Sequence, residues 1–448
     1  MNARVKILFL LCTAMMISSC TKEEKEVRVD ASELHSTMDQ ITKVIVHDIF
    51  SPPVASRIYA YSSIAAYEAA IPGDPQYASL AGQLNGLESM PKPDPSKKYL
   101  FELASVHALA TVGQSLIFSE QGIDTFHTAT LEKYRRLSMP DDLYENSIEF
   151  GGQVAAHILE WASKDNYKQT RTFEKYTVPV NEPGKWKPTP PAYMDGIEPH
   201  WNKIRPFVLD SANQFTPNPP TPFSTSKDSK FHKEAMEVYE AVKNGGKEPS
   251  DIAFFWDCNP YVMNVRGHVM FATKKITPGG HWMGITKIVC SQQQLSLAQS
   301  AEAYALVSIA LADGFISCWD EKYRSNLVRP ETYINQFVDE NWLPLLQTPP
   351  FPEHTSGHSV ISTAAATTLT ELFGANIHFV DSTEVDFGLP PRSFNSFLEA
   401  SSEAAISRLY GGIHYRPAID EGVIEGRKVG EWVINNIRTK LTNESSGQ

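Results

Sequence analysis

The sequence predicts an all-α protein made of packed helical bundles. Three observations predict it. Apolar residues recur at helical spacing through most of the chain, alternating strand patterns are scarce, and one long stretch of small and aromatic residues suits a helix enclosed on several sides. With 448 residues, 42% hydrophobic and 21% charged, the chain has ordinary globular composition and fills one large domain or two smaller ones.

Leu34, Met38, Ile41, Ile45 and Ile49 mark a first helix that Pro52-Pro53 should stop. A second follows in "VASRIYAYSSIAAYEAA", and helical patterns cover roughly 97–118, 122–136 and 141–164. Between Pro179 and Pro222 lie eleven of the 30 prolines, mixed with aromatics in "PGKWKPTPPAYMDGIEPHWNKIRPF". That is too apolar for a disordered linker and predicts a long ordered excursion draped over the bundle, shaping a cleft. "LAQSAEAYALVSIALADGFISCW" then predicts the enclosed helix. There is no internal repeat and no heptad array. Residues 33–440 are expected to form one helical domain, as two packed four-helix bundles sharing a core.

The N-terminus has another character. Arg4 and Lys6 precede "ILFLLCTAMM", which ends in "ISSC"; this is the three-part form of a secretory signal over 1–19, too short for a permanent span. The small residues before Cys20 resemble a bacterial lipobox, so Cys20 is expected to be lipidated, with 20–32 as tether. Removing 1–19 takes two positive charges and no acid, moving the net charge from −12 to −14. An acidic protein without basic runs is a poor partner for nucleic acid. The expected membrane contact is therefore the lipid anchor alone, in a bacterial envelope. Cys258, Cys290 and Cys318 have no metal-ligand spacing and read as buried thiols, with one disulfide left open.

Three segments carry chemistry: "KYRSNLVRP" (322–330), "SGH" (356–358) and "SRLYGGIH" (407–414). Together they describe a site for a tetrahedral oxyanion. Lys322, Arg329 and Arg408 supply positive charge, and the arginines can fork onto oxygen pairs. Ser356 offers a hydroxyl. Gly357 lets the backbone come close and donate its N–H at a helix start, where the macrodipole favours negative charge. His414 and His358 are the reactive candidates, one to bond the central atom and one to move protons. Each residue alone reads as a surface charge, a structural histidine or a helix cap; the ordered combination shifts the odds.

That combination resembles the superfamily of type-2 phosphatidic acid phosphatases and vanadium haloperoxidases, whose signature is K-x6-R-P, P-S-G-H and S-R-x5-H-x3-D. Lys322, Arg329 and Pro330 fit the first part, Ser356, Gly357 and His358 the second, and Ser407, Arg408 and His414 the third. Thr355 stands in place of a proline. The final acid is missing: Ala418 occupies its position and Asp420 comes two residues late, which leaves open what orients His414.

The resemblance implies vanadate as cofactor, held by Lys322, Arg329, Ser356, Gly357, His358, Arg408 and His414. His414 would be the vanadium ligand, and His358 and Lys322 would act on hydrogen peroxide. Membrane phosphatases of this type have several spanning helices and soluble bacterial acid phosphatases are much shorter, so the haloperoxidase branch is the closer likeness. Trp319 and Phe351 look like residues lining the halide side, while Tyr261 and Asp320 look similarly placed in bacterial iodoperoxidases. His354 is either a supporting residue or only a turn residue. The implied reaction is halide oxidation by hydrogen peroxide to hypohalous acid, iodide first and bromide second. The alternatives are an acid phosphatase or a non-catalytic oxyanion-binding surface lipoprotein.

Overall fold

The computed structural model describes residues 30–137, 139–266 and 269–441; the signal, Cys20 and most of the tether lie outside them. Helix accounts for 57% and strand for 3%, with 14 helices among the described residues, which is the all-α architecture expected.

The N-terminal bundle holds α1 (Ser32–His47), α2 (Pro52–Ala70), α3 (Phe101–Ser115), α4 (Glu120–Arg135) and α5 (Asp141–Ala162). Helix α1 ends at His47, short of Ile49, whose backbone turns at φ 55°, so Pro52 and Pro53 are not what stops it. They form the first turn of α2, where a missing N–H costs nothing, and Ser51 caps that turn by accepting from the Val54 N–H at 3.4 Å. A one-turn helix, α6 (Tyr167–Thr170), leads into the proline-rich excursion, and α7 (Lys230–Asn244) and α8 (Lys247–Phe255) follow it. The second bundle contains α9 (Pro278–Gln292), α10 (Leu297–Ser325), α11 (Pro330–Phe337), α12 (Gly357–Phe373), α13 (Phe397–Tyr410) and α14 (Arg416–Asn436). Two antiparallel hairpins interrupt the helices: β1 (Met263–Arg266) with β2 (Val269–Ala272), Met263 opposite Ala272, and β3 (Phe379–Asp381) with β4 (Arg392–Phe394), Phe379 opposite Phe394.

Helix α10 is the shared wall. It packs on α2 of the first bundle and on α12 of the second, and every residue from Ser300 to Lys322 is buried. Among the described residues it alone is long and apolar enough to cross a membrane, and its most apolar stretch is wholly enclosed by protein. A capping box starts it: Ser296 Oγ accepts from the Gln299 N–H, and Gln299 Oε1 accepts from the Ser296 N–H.

Helix α14 packs on α10 as well as on α12, and it approaches α12 through Gly422, Gly426 and Gly430. A Cβ on Gly426 or Gly430 would collide with the carbonyl oxygens of Val360 or Ala364, so only glycine lets the two backbones touch. That contact seats the start of α12, where the site forms. The excursion is ordered as expected. Asp313 on α10 accepts the N–H groups of Phe207, Val208 and Leu209 at 2.7–3.0 Å. Trp186 and Trp201, both within the excursion, are fully buried.

Candidate active site

The three charged segments meet at the C-terminal end of α10. Lys322 lies in the last turn of α10, Arg329 is the N-cap residue of α11, and Ser356 is the N-cap residue of α12. Gly357 and His358 form the first turn of α12. Arg408 ends α13, and His414 sits in the short loop before α14. Gly412 turns that loop at φ 78°, backbone that favours glycine.

All three cations are buried: Lys322 and Arg329 are 0% exposed and Arg408 is 1% exposed. Each is held by main-chain oxygen. Lys322 Nζ donates to the carbonyls of Pro352, Glu353 and Thr355, which uses its three donors and knots the loop before α12. Burial pulls its ammonium down to about 8, and Arg329 adds to the effect. Arg329 donates from Nε to the Phe351 carbonyl and from Nη1 to the Ile413 carbonyl at 2.8 Å, while Nη2 is buried with no protein partner. Arg408 donates from Nη2 to the Trp256 carbonyl at 2.7 Å, which ties the end of α8 to the site.

The acid missing from the third segment is supplied by the loop just before the second. Glu353, 0% exposed, accepts on Oε1 from His414 Nδ1 at 2.8 Å and from the Tyr415 N–H at 2.9 Å. A proton on Nδ1 leaves a lone pair on His414 Nε2, which faces Arg329 Nη1 at 3.1 Å; the tautomer is assigned from this network. Burial, then Arg329 and Lys322, hold His414 far below the usual histidine range, so the imidazole is neutral, and its Nε2 can ligate by exchanging the Arg329 N–H for the ligand. Burial pushes Glu353 up to about 7, with Arg329 and Lys322 pulling the other way.

Position 418 contributes through its backbone: the Ala418 carbonyl accepts the Ser356 N–H at 2.9 Å. Asp420 is exposed and has no part in this. Thr355, standing where the family has proline, donates its hydroxyl to buried Glu425, which Ser317 also reaches.

A small cavity opens against these groups. Its polar wall comprises Gly357, His358, Arg408, His414, Cys258 and Asn259; its apolar wall includes Trp319, Phe351, Phe315, Pro349, Pro52 and Pro278. Trp319 and Phe351 pack at 4.9 Å between ring centroids, so the two aromatics predicted for this wall are there together. Lys322, Arg329 and Ser356 stand just behind the lining. His358 is half-buried, and its enclosed Nε2 has no partner; burial, then Arg408 and His281, keep it well below the usual range.

Tyr261 and Asp320, predicted for the halide side, are not brought to the cavity, and His354, read as a supporting or turn residue, lies outside it too. Asp320 follows Trp319 by one residue, roughly 100° round the helix, and accepts from Asn202 at 2.8 Å and from Arg324. Tyr261 turns toward Ser51 and Glu198. His354 Nε2 faces the Asn218 carbonyl at 3.0 Å, which ties the loop to the excursion. Glu353, Cys258 and Asn259 were missed. Glu353 had a signal, an acid flanked by Phe351 and Ser356 in a chain lacking the expected one; Cys258 and Asn259 had none.

The arrangement fits a tetrahedral oxyanion. Buried cations converge on one small space, Arg329 Nη2 and His358 Nε2 lack partners, and a Cβ on Gly357 would project between Trp319 and Lys322.

Residues 302–443 match the family described as VCPO second helical-bundle domain. A search of curated protein sequences finds no match. Among solved structures, the chain is similar to the one described as the first bacterial vanadium-dependent iodoperoxidase, at 52% identity and a TM-score of 0.89, covering 94% of this chain and 100% of that one. Holo and apo bacterial vanadium-dependent chloroperoxidase are both 15% identical, at TM-scores of 0.68 and 0.65. They cover 87% and 86% of this chain and 93% and 95% of theirs, a likeness of fold. Identity above one half, sustained along nearly the whole chain, decides the matter: the protein belongs to the vanadium-dependent haloperoxidases.

Proposed function

We propose that the protein oxidises halide with hydrogen peroxide to hypohalous acid, iodide first and bromide second, with vanadate in the cavity beside His414. Bound vanadate supplies a Lewis acid that activates peroxide without changing its own oxidation state. The observation that carries the reading is the neutral His414, whose Nδ1 is fixed by Glu353 and whose Nε2 lone pair is turned toward Arg329.

The chain's own groups divide the remaining work. Arg329, Arg408, the Ser356 hydroxyl and the Gly357 N–H are the groups to hold anionic oxygens, as preorganised donors in a site shielded from water. Lys322, whose three donors hold carbonyls of the loop before α12, contributes positive charge behind the cavity wall and would polarise a peroxide oxygen only by exchanging one of those carbonyls for it. His358, neutral and with Nε2 unpartnered, accepts and returns a proton. Trp319 and Phe351 supply an apolar wall, which a large, weakly hydrated iodide enters more easily than chloride.

Initial rates with iodide, bromide and chloride, at matched peroxide and with and without vanadate, test this, run beside a phosphoester assay. Iodide should lead, bromide follow and chloride stay near background, all dependent on vanadate. Chloride rivalling iodide would refute the halide order, and phosphoester hydrolysis without halide oxidation would identify an acid phosphatase. A chain that binds vanadate without either activity would be an oxyanion-binding lipoprotein. The same reading includes export with Cys20 lipidated, and an unmodified Cys20 in mass spectra of a cytoplasmic protein would refute that part.

A further inference from the structure

Beside the oxyanion cavity lies a second constellation that the halide chemistry does not use. Cys258 follows α8, His281 is in the first turn of α9, and Glu384 is in the β3–β4 hairpin. Their side chains meet in the core, at 1%, 0% and 4% exposure. Cys258 Sγ lies 3.4 Å from His281 Nδ1 and 3.7 Å from Glu384 Oε1, and Nδ1 to Oε1 is 3.1 Å. We propose that these three residues bind a divalent cation of the zinc class, distinct from the oxyanion site.

Geometry is the first argument. A tetrahedral zinc ion with Zn–S near 2.3 Å and Zn–N and Zn–O near 2.0–2.2 Å would set its ligand atoms roughly 3.3–3.6 Å apart. The three observed edges bracket that range. The donor set is the second argument. Thiolate, imidazole and carboxylate together suit zinc and its neighbours, and they do not suit calcium or magnesium, which prefer all-oxygen shells.

The third argument is what stands behind the histidine. His281 Nε2 faces Asp381 Oδ2 at 2.7 Å, and the other Asp381 oxygen accepts from the Thr383 N–H and hydroxyl. Asp381 holds the proton on Nε2, and a cation would take the place of the Nδ1 proton that otherwise faces Glu384 at 3.1 Å. That is the carboxylate–histidine support found behind metal-ligating imidazoles. Trp256 stacks on the same ring at 4.5 Å, which fixes its plane.

A nucleophilic thiol is the rival use of a Cys–His–Asp set. Burial pushes the Cys258 thiol up to about 11, so without a cation its sulfur is no thiolate. Metal binding would remove that proton. Cys258 also lines the oxyanion cavity, which gives an ion an entry path.

The test uses the full chain, stripped with a chelator and titrated with Zn²⁺ in the absence of vanadate. One zinc per chain should be retained after dialysis, with a rise in melting temperature. Co²⁺ in its place should show a thiolate-to-cobalt charge-transfer band. Cys258→Ser should abolish that band, and Glu384→Gln, nearly isosteric, should lose retained zinc while keeping the helical circular dichroism of the parent. Asp381→Asn should weaken Zn²⁺ by about 10- to 100-fold without changing its stoichiometry. No retained zinc in the parent, or equal zinc in parent, Cys258→Ser and Glu384→Gln, would overturn the site and leave a hydrogen-bonded core cluster. Neither result depends on halide turnover.

Discussion

Two of the regions where this molecule buries charge do it in opposite ways. In the N-terminal bundle, Arg57 and Asp165 are 6% and 1% exposed and bond each other through Arg57 Nε and Asp165 Oδ2. Arg57 also donates to the Ala162 carbonyl, and Asp165 accepts from the Tyr61 hydroxyl and the Tyr167 N–H. Cation and anion are matched inside the protein. At the end of α10, Lys322, Arg329 and Arg408 are equally buried, yet Arg329 Nη2 and His358 Nε2 have no protein partner. The acids nearest Lys322, Glu353 and Glu425, are both pushed up to about 7 by burial, so their charge is weak compensation. The first region closes a fold. The second is incomplete as protein, and its missing component is an anion.

The contrast can be broken at either side. The largest effect should come from Asp165→Ala, which strands Arg57 as a buried unpaired charge. Chemical denaturation should show a loss of about 3–5 kcal/mol, unaffected by vanadate or phosphate. Next, either anion should stabilise the metal-stripped parent, by about 2.7 kcal/mol at 100 times its Kd, and the same ions should add nothing to Arg329→Ala. Melting curves with and without ligand measure both.

Glu353→Gln sharpens the comparison within the site. It keeps the shape of the loop but weakens the hold on the His414 Nδ1 proton, so vanadate affinity should fall by about 10- to 100-fold. Phosphate, which needs no ligating lone pair, should fall less, and competition titrations separate the two. The smallest effect concerns pH. Lys322, lowered to about 8 in the free protein, is charged below that value and neutral above it. An anion favours the charged form of Lys322 and the neutral forms of Glu353 and Glu425, so affinity should begin to decline as the two acids ionise near 7 and fall further above 8, by at most about tenfold per pH unit for each group. Sulfate, whose charge is constant through this range, is the suitable probe in isothermal titration.

How much of this could be read from sequence differs by region in the same way. The cradle residues were legible because their chemistry is local: a serine cap, a glycine and a histidine sit within three residues, and each cation lies at the end or start of a helix. The enclosed helix α10 was legible because small and aromatic residues leave it no polar face. Glu353 was not assigned because its partner lies 61 residues away, brought near only by the packing of α12 against α14. Asp320 and Tyr261 were expected at the cavity for the converse reason. Their neighbours in sequence are at the site, but helix rotation and the excursion give their polar atoms other partners. The Arg57–Asp165 pair, 108 residues apart, carried no sequence signal, since a lone arginine in an alanine-rich helix reads as a surface charge.

The most direct test of the incomplete site is vanadate binding to His414→Ala. Titration calorimetry of the parent should give one vanadate per chain, displaced by phosphate. The variant should keep its fold and its phosphate binding, because the three cations remain, and should lose tight vanadate binding with the ligating lone pair. Parent-like vanadate affinity in His414→Ala would mean that the histidine is no ligand and that the buried cations gather for another purpose.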